Sequence, residues 1–172
     1  VPVLYGGRDE SARRVIASHA NEMHSTFSYV DHSLLNIKEM TLEQSVFDFE
    51  NHKNVAISLL GIYQPENASL VLKATDILNE NGFSITQEAL ENGLKNAKWP
   101  ARFEILSHSP LVIFDGAHNP QGIDASVKSI KTYFKDQKVL VMTGVLRDKD
   151  YLYIADRLKE ITDTAYVFTP EN

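Results

Sequence analysis

Short apolar runs alternate with amphipathic stretches along this chain, the pattern of an α/β protein. The clearest run is Leu111-Val112-Ile113-Phe114, wholly apolar and preceded by Pro110, which predicts a parallel strand covered on both faces. Asp115-Gly116-Ala117-His118-Asn119-Pro120 follows it. Ile123, Val127, Ile130 and Phe134 then recur at i, i+4, i+7 and i+11, the stripe of a helix lying on a sheet. Asn119 is a helix-capping residue type, and Pro120 suits the first helical position, where its missing N–H costs nothing. Asp115 and His118 are therefore expected on the turn from a strand's carboxyl end to a helix N-terminus, where open α/β sheets place their chemistry. Singly, Asp115 reads equally as a turn residue and His118 as a surface histidine. A carboxylate, a glycine that permits close backbone approach, an imidazole and a capped helix dipole on one strand edge point together to a site.

The same patterning organises the rest of the chain. Val3-Leu4-Tyr5 predicts a strand, Gly6-Gly7 a turn, and Asp9 or Ser11 the cap of a helix running to about Met23. Residues 27–30 and 46–49 alternate like half-exposed strands, with Asp31, His32 and His52 in the polar gaps. Those histidines lack a metal-ligand spacing and are expected to be solvated. Residues 55–60 read as another buried strand, ended by Gly61. Residues 65–79 read as a helix with Ala68, Leu72, Ile77 and Leu78 inward, stopped by Asn81-Gly82, and residues 87–96 as a second helix carrying Leu90 and Leu94. Trp99-Pro100 breaks the helical pattern, so a domain boundary is expected there, dividing the chain into residues 1–100 and 101–172. The link from Ser107 to Pro110 is too short for a parallel crossover, so residues 103–106 should pair antiparallel with 111–114. A strand at 139–142, a helix at 151–161 and a strand at 165–169 complete a β-α-β-α-β run, which predicts right-handed crossovers and an open, doubly wound sheet.

Composition narrows the function. A chain of 172 residues with 43% hydrophobic and 23% charged residues is ordinary for a globular protein and long enough to bury a core. A net charge of -6, with the basic residues scattered, leaves no footprint for nucleic acid or a membrane surface. The absence of cysteine excludes disulfides, thiolate metal sites and a cysteine nucleophile, and suits a reducing cytoplasm. No apolar stretch is long enough to span a bilayer as a helix. The chain opens on Val1-Pro2 and stops just after a strand, so both ends are expected to be cuts from something longer.

Three further clusters sit where strands end. Gln64-Pro65-Glu66-Asn67 places amides at a helix start, suited to reading the edge of a base and equally to capping. Arg102, beside Trp99 at the expected boundary, suits either a phosphate contact or a surface salt bridge. Asp148-Lys149-Asp150 opens the next helix and carries little beyond capping. Neither G-x-x-x-x-G-K-[ST] nor G-x-G-x-x-G occurs, so this chain alone does not cradle a nucleotide's phosphates in the usual way.

Gly61 with Gln64 and Asn67, Trp99-Pro100-Ala101-Arg102-Phe103-Glu104, Asp115-Gly116-Ala117-His118-Asn119-Pro120, and Gly144 with Asp148-Lys149-Asp150 resemble, in that order, motifs of the folylpolyglutamate synthase and dihydrofolate synthase family of the Mur ligase superfamily. The resemblance spans essentially the whole chain. Tyr63 departs from the family's common His and Ala101 from its Gly. Ala101 is expected to hold an ordinary φ, and Tyr63 to alter how an adenine pocket packs.

The resemblance implies the end of a central Mur-ligase-like domain followed by an open, mostly parallel, Rossmann-like C-terminal sheet, truncated. It implies a ligase in which ATP phosphorylates a folate carboxylate and the amine of glutamate attacks the acyl phosphate to make an amide. The partners implied are ATP, folate or dihydropteroate, and L-glutamate, together with an N-terminal P-loop part that would precede Val1. Mg2+ is implied as a cofactor, with its ligands and a carbamylated lysine in that missing part, so the chain alone is expected to be inactive. Carried over by position, Asn67 would contact adenine, Asp115 the ribose hydroxyls and Arg102 the polyphosphate. His118 would line the glutamate and acyl phosphate side, with Arg102 and His118 the catalytic pair. Two other readings stay open: a Mur-type peptidoglycan amino-acid ligase, opposed by the W-P-x-R-F-E junction and Gly116, and a non-catalytic nucleotide-binding module. A phosphohydrolase with Asp115 as nucleophile is weakened by the lack of a second acid two residues on.

Overall fold

The computed structural model describes residues 1–135 and 137–169. They form two compact units, the first from residues 1–39, 44–58 and 64–97, the second from 40–43, 59–63 and 98 onward.

In the first unit, β1 (Val3–Tyr5), α1 (Glu10–Glu22) and β2 (Phe27–Tyr29) form a parallel crossover, with Val3 opposite Phe27. Asp9 caps α1, its carboxylate accepting from the N–H groups of Ser11 at 2.7 Å and Ala12 at 3.1 Å. Next come β3 (Asn36–Met40), β4 (Ser45–Phe49) and β5 (His52–Ile57), a three-stranded sheet in which β4 and β5 run antiparallel. On β4, Ser45, Phe47 and Phe49 are buried while Val46 and Asp48 are not, the alternation the sequence predicts. Helices α2 (Gln64–Glu80) and α3 (Gln87–Asn96) cover that face, and Phe47, Phe49, Val55, Ile57, Ala68, Leu72, Leu90 and Leu94 share one core.

Several expectations for this unit need correction. The apolar run at 55–60 is not wholly strand, because β5 ends at Ile57 as the second arm of a hairpin. Ile77 and Leu78 do not face inward. At 100° per residue Ile77 lies half a turn round from Ala68, and Leu78 is 39% exposed, whereas Leu72 and Thr75 share Ala68's face and are buried. His32 and His52 are not simply solvated. His32 Nε2 bonds the Gly6 carbonyl at 2.9 Å, and His52 Nε2 lies 3.1 Å from both carboxylate oxygens of Asp76. The sequence gives no sign of β3, since its Ile37, Lys38 and Glu39 all lie exposed and leave no apolar alternation.

In the second unit, β6 (Glu104–His108) and β7 (Leu111–Phe114) pair antiparallel, Ile105 facing Ile113, as the short link requires. Helix α4 (Pro120–Phe134) follows, then β8 (Val141–Thr143), α5 (Tyr151–Leu158) and β9 (Ala165–Val167). β8 and β9 pair in parallel, with Val141 opposite Ala165. The α/β class is therefore present, built from small parallel and antiparallel ladders. β7 itself is a correction. It pairs antiparallel with β6, and its Leu111, Val112 and Phe114 are 40%, 42% and 49% exposed, so no second layer covers both faces among the described residues. The last helix and the two strands around it are shorter than their apolar runs suggest. The core lies between α4 and α5, where Ile123, Val127, Ile154 and Ile161 are buried. Asp124 on α4 joins α5 by accepting from Tyr153 Oη at 2.8 Å and Arg157 Nε at 2.6 Å.

Candidate active site

The turn after β7 forms around its own polar groups. Asn119 caps α4 by accepting from the Gly122 N–H at 2.8 Å, and Pro120 takes the first turn. Asp115 is half-buried at the strand end. Its Oδ1 accepts from the Ala117 N–H at 2.9 Å, and its Oδ2 from the Ser126 hydroxyl at 3.0 Å, a residue on the second turn of α4. Burial pushes the Asp115 carboxyl above its ordinary value, while the Ser126 and Ala117 bonds, the Arg102 guanidinium and the Phe103 amide act the other way. A carboxylate has about four acceptor positions, so both oxygens retain capacity.

Residues 101–104 are fastened beside this turn. The Ala101 carbonyl accepts from the Gly116 N–H at 2.9 Å, and Glu104 Oε2 accepts from the Ala101 N–H at 2.8 Å. A Cβ on Gly116 would stand 3.3 Å from the Ala101 oxygen, so the close approach favours glycine. Ala101 does not have an ordinary φ. It sits at +58° and Phe103 at +49°, so two side-chain-bearing residues in the left-handed region flank Arg102. Phe103 is 1% exposed and packs against Tyr133 on α4 with ring centroids 5.5 Å apart. The corner is anchored by that ring, and Arg102 is left exposed next to it.

The segment 59–63 also rests on α4. Tyr133 Oη accepts from the Gly61 N–H and Ser129 Oγ from the Ile62 N–H, each at 3.1 Å. Gly61 has φ +107°, and the Tyr63 ring folds over it. Burial, then the neighbouring Asp115 charge, push the Tyr63 hydroxyl up to about 12, so it stays a neutral donor beside the carboxylate. His118 is exposed and its Nδ1 lies 2.8 Å from the Gly116 carbonyl. A carbonyl only accepts, so Nδ1 carries the proton, and in the neutral ring Nε2 is the acceptor. The loop after β8 lies within electrostatic reach. Asp148 is held below the usual carboxylate range by its bond to Lys149 first, with His118 contributing.

Arg102, Asp115 and His118 thus share the second unit and its strand-end edge. Asn67 belongs to the first unit, on the first turn of α2, exposed and donating to Gln64 Oε1 at 3.1 Å. Sequence reasoning missed Ser126, Ser129 and Tyr133, which run at helical spacing along one flank of the apolar stripe of α4 and hold Asp115 and the 59–63 segment. Their polarity on that helix was the available signal. No group of three or more His, Cys, Asp or Glu side chains among the described residues is placed to share a metal ion.

Comparison with known proteins points to one class of enzymes, the Mur ligases. Residues 101–172 match the family described as Mur ligase, glutamate ligase domain, and that part of the chain belongs to it. More particularly, the chain is 32% identical over 167 residues to the dihydrofolate synthase/folylpolyglutamate synthase of Bacillus subtilis, covering 94% of this chain and 39% of that protein. Folylpolyglutamate synthase from Thermotoga maritima superimposes with a TM-score of 0.84 at 32% identity, covering 98% of this chain and 41% of that one. A folylpolyglutamate synthase in complex with AMPPCP and folate superimposes with a TM-score of 0.80 at 28% identity, over 97% and 42%. The chain spans about two fifths of the length of each of these relatives.

Proposed function

We propose that this chain is part of an ATP-dependent ligase that adds L-glutamate to folate, with dihydropteroate as a second acceptor, through an acyl phosphate. The observation that carries this reading is the Asp115 edge. There a half-buried carboxylate is held by two fixed donors beside an exposed arginine, in a chain similar over 94% of its length to a bifunctional folate enzyme. In this reading the γ-phosphoryl group passes from ATP to the folate carboxylate, ADP leaves, the glutamate amine attacks the acyl carbon, and phosphate departs as the amide forms.

Each residue then has a role fitted to its chemistry. Asn67 reads the adenine edge, and Asp115 accepts hydrogen bonds from the ribose hydroxyls. Arg102 stabilises charge developing on the transferring phosphoryl group, a task for an exposed planar cation on a rigid corner. His118, with Nε2 as an acceptor, lines the glutamate and acyl phosphate side. Mg2+ and a P-loop would be supplied by the rest of the protein and would bind and neutralise the phosphates there. The reading carries with it a cytoplasmic location, which the cysteine-free sequence suits, and no nucleic acid or membrane partner.

The experiment is the mass of the product. The full-length protein incubated with ATP, L-glutamate and a reduced folate should yield folate heavier by one glutamyl residue, with one ADP per bond. Conversion of a UDP-muramyl substrate instead, or nucleotide binding with no ligation of either, would point to the Mur-type ligase or to the binding module.

A further inference from the structure

Asp115 does not hold itself. Its Oδ1 is fixed by the Ala117 N–H, part of the turn, but its Oδ2 is fixed by a side chain, the Ser126 hydroxyl on α4. That hydroxyl has one proton and two acceptors at equal distance, Asp115 Oδ2 and the Gly122 carbonyl, each at 3.0 Å. A hydrogen bond to an ionised acceptor is the stronger of the two, so an ionised Asp115 draws the proton and a protonated one releases it to the helix backbone. α4 is itself rigid at this point. Val127 beside Ser126 is fully buried, Ser129 receives the Ile62 N–H, and Tyr133 receives the Gly61 N–H.

We propose that Ser126 is a positioning residue that fixes the plane of the Asp115 carboxylate, so that its remaining acceptor positions meet two vicinal ribose hydroxyls at once. The inference rests on the reading of Asp115 as the ribose acceptor. With Ser126 absent, Oδ2 loses the one side-chain donor it has among the described residues, the carboxylate is left to backbone donors alone and its plane is less fixed, and one of the two hydroxyl contacts is no longer pre-aligned. The other groups facing Asp115 are unchanged by the substitution: the Arg102 guanidinium and the Phe103 amide from the corner before β6, and the neutral Tyr63 hydroxyl from the 59–63 segment.

The test is the ratio of dissociation constants for 2′-deoxyATP and ATP, measured by calorimetry on the full-length protein as wild type, Ser126→Ala, Ser126→Thr and Asp115→Asn. Alanine is a good helix former, so Ser126→Ala should fold. Its ratio should fall roughly three- to tenfold toward unity, because the hydroxyl that 2′-deoxyATP lacks is the contact already loosened. Ser126→Thr should restore the wild-type ratio, which a purely structural role for the position does not predict. A wild-type ratio in Ser126→Ala alongside a collapsed one in Asp115→Asn overturns the role of Ser126 and leaves the ribose reading standing. A loss in both Ala and Thr variants overturns it too, since the hydroxyl is then not the operative group. An unchanged ratio in Asp115→Asn removes the ribose reading, and the Ser126 proposal with it.

Discussion

Asp115 is a carboxylate whose surroundings disfavour its charge, which is the mark of a group kept for binding. Its folded-state value is raised from 3.8 by burial, so just above that pH the folded protein holds a proton that the unfolded chain has released. Stability therefore falls as pH rises through the window between the ordinary and the raised value, and the ionised side chain is a net cost at neutral pH. Asp115→Asn should leave the melting temperature at pH 7 equal or higher and flatten its slope across that acidic window. A loss of more than about 2 kcal/mol would make the carboxylate a structural member of the turn instead. Arg102→Ala tests the other side of the site. It should lower kcat by the equivalent of about 3 kcal/mol in the barrier while the KM for ATP changes little. A raised KM with kcat preserved would make Arg102 a ground-state anchor. Ala101 gives a residue-scale correction its own test. At φ +58° it bears strain that glycine would not, so Ala101→Gly should stabilise the fold by up to about 1 kcal/mol, read by chemical denaturation. An ordinary φ could be inferred from the residue type alone. Only the hydrogen bonds from Gly116 and to Glu104 reveal that the corner forces the left-handed region.

At the scale of elements, the sequence was most legible where one physical rule acts alone. The Asn119-Pro120 start of α4, the bounds of α3 and the antiparallel β6–β7 pair follow from capping, periodicity and link length, and all three stand. The cap should carry a measurable share: Asn119→Ala should destabilise by about 1 kcal/mol without touching Asp115's bonds. Legibility failed where an apolar run admits several environments. β7 looks the same in sequence whether it is buried on two faces or left exposed as here, and β3 has no apolar alternation to read. The polar positions of α4 were read past because the stripe of Ile123 and Val127 explained the helix. Residues 61–62 are distant in sequence and meet Tyr133 and Ser129 only in the fold, and Asp115 reaches Ser126 only once the turn before α4 has formed.

For the whole molecule, four short motifs in order were enough to point to a family, whereas no single one carried it. Their strength is joint, because each constrains a different strand end or junction. On the proposed reading, activity also needs the P-loop part that the resemblance implies. This chain alone should neither hydrolyse ATP nor ligate glutamate, and phosphate release above background that survives repurification would contradict its standing as part of a larger ligase. The central claim, that the strand-end carboxylate is the ribose contact of an ATP site, is tested most directly by a double-mutant cycle on the full-length protein. ATP and 2′-deoxyATP binding would be measured for wild type and Asp115→Asn. The substitution should weaken ATP by about 1.5 to 3 kcal/mol and 2′-deoxyATP by much less, giving a clear coupling energy. A coupling near zero would take Asp115 out of the ribose site.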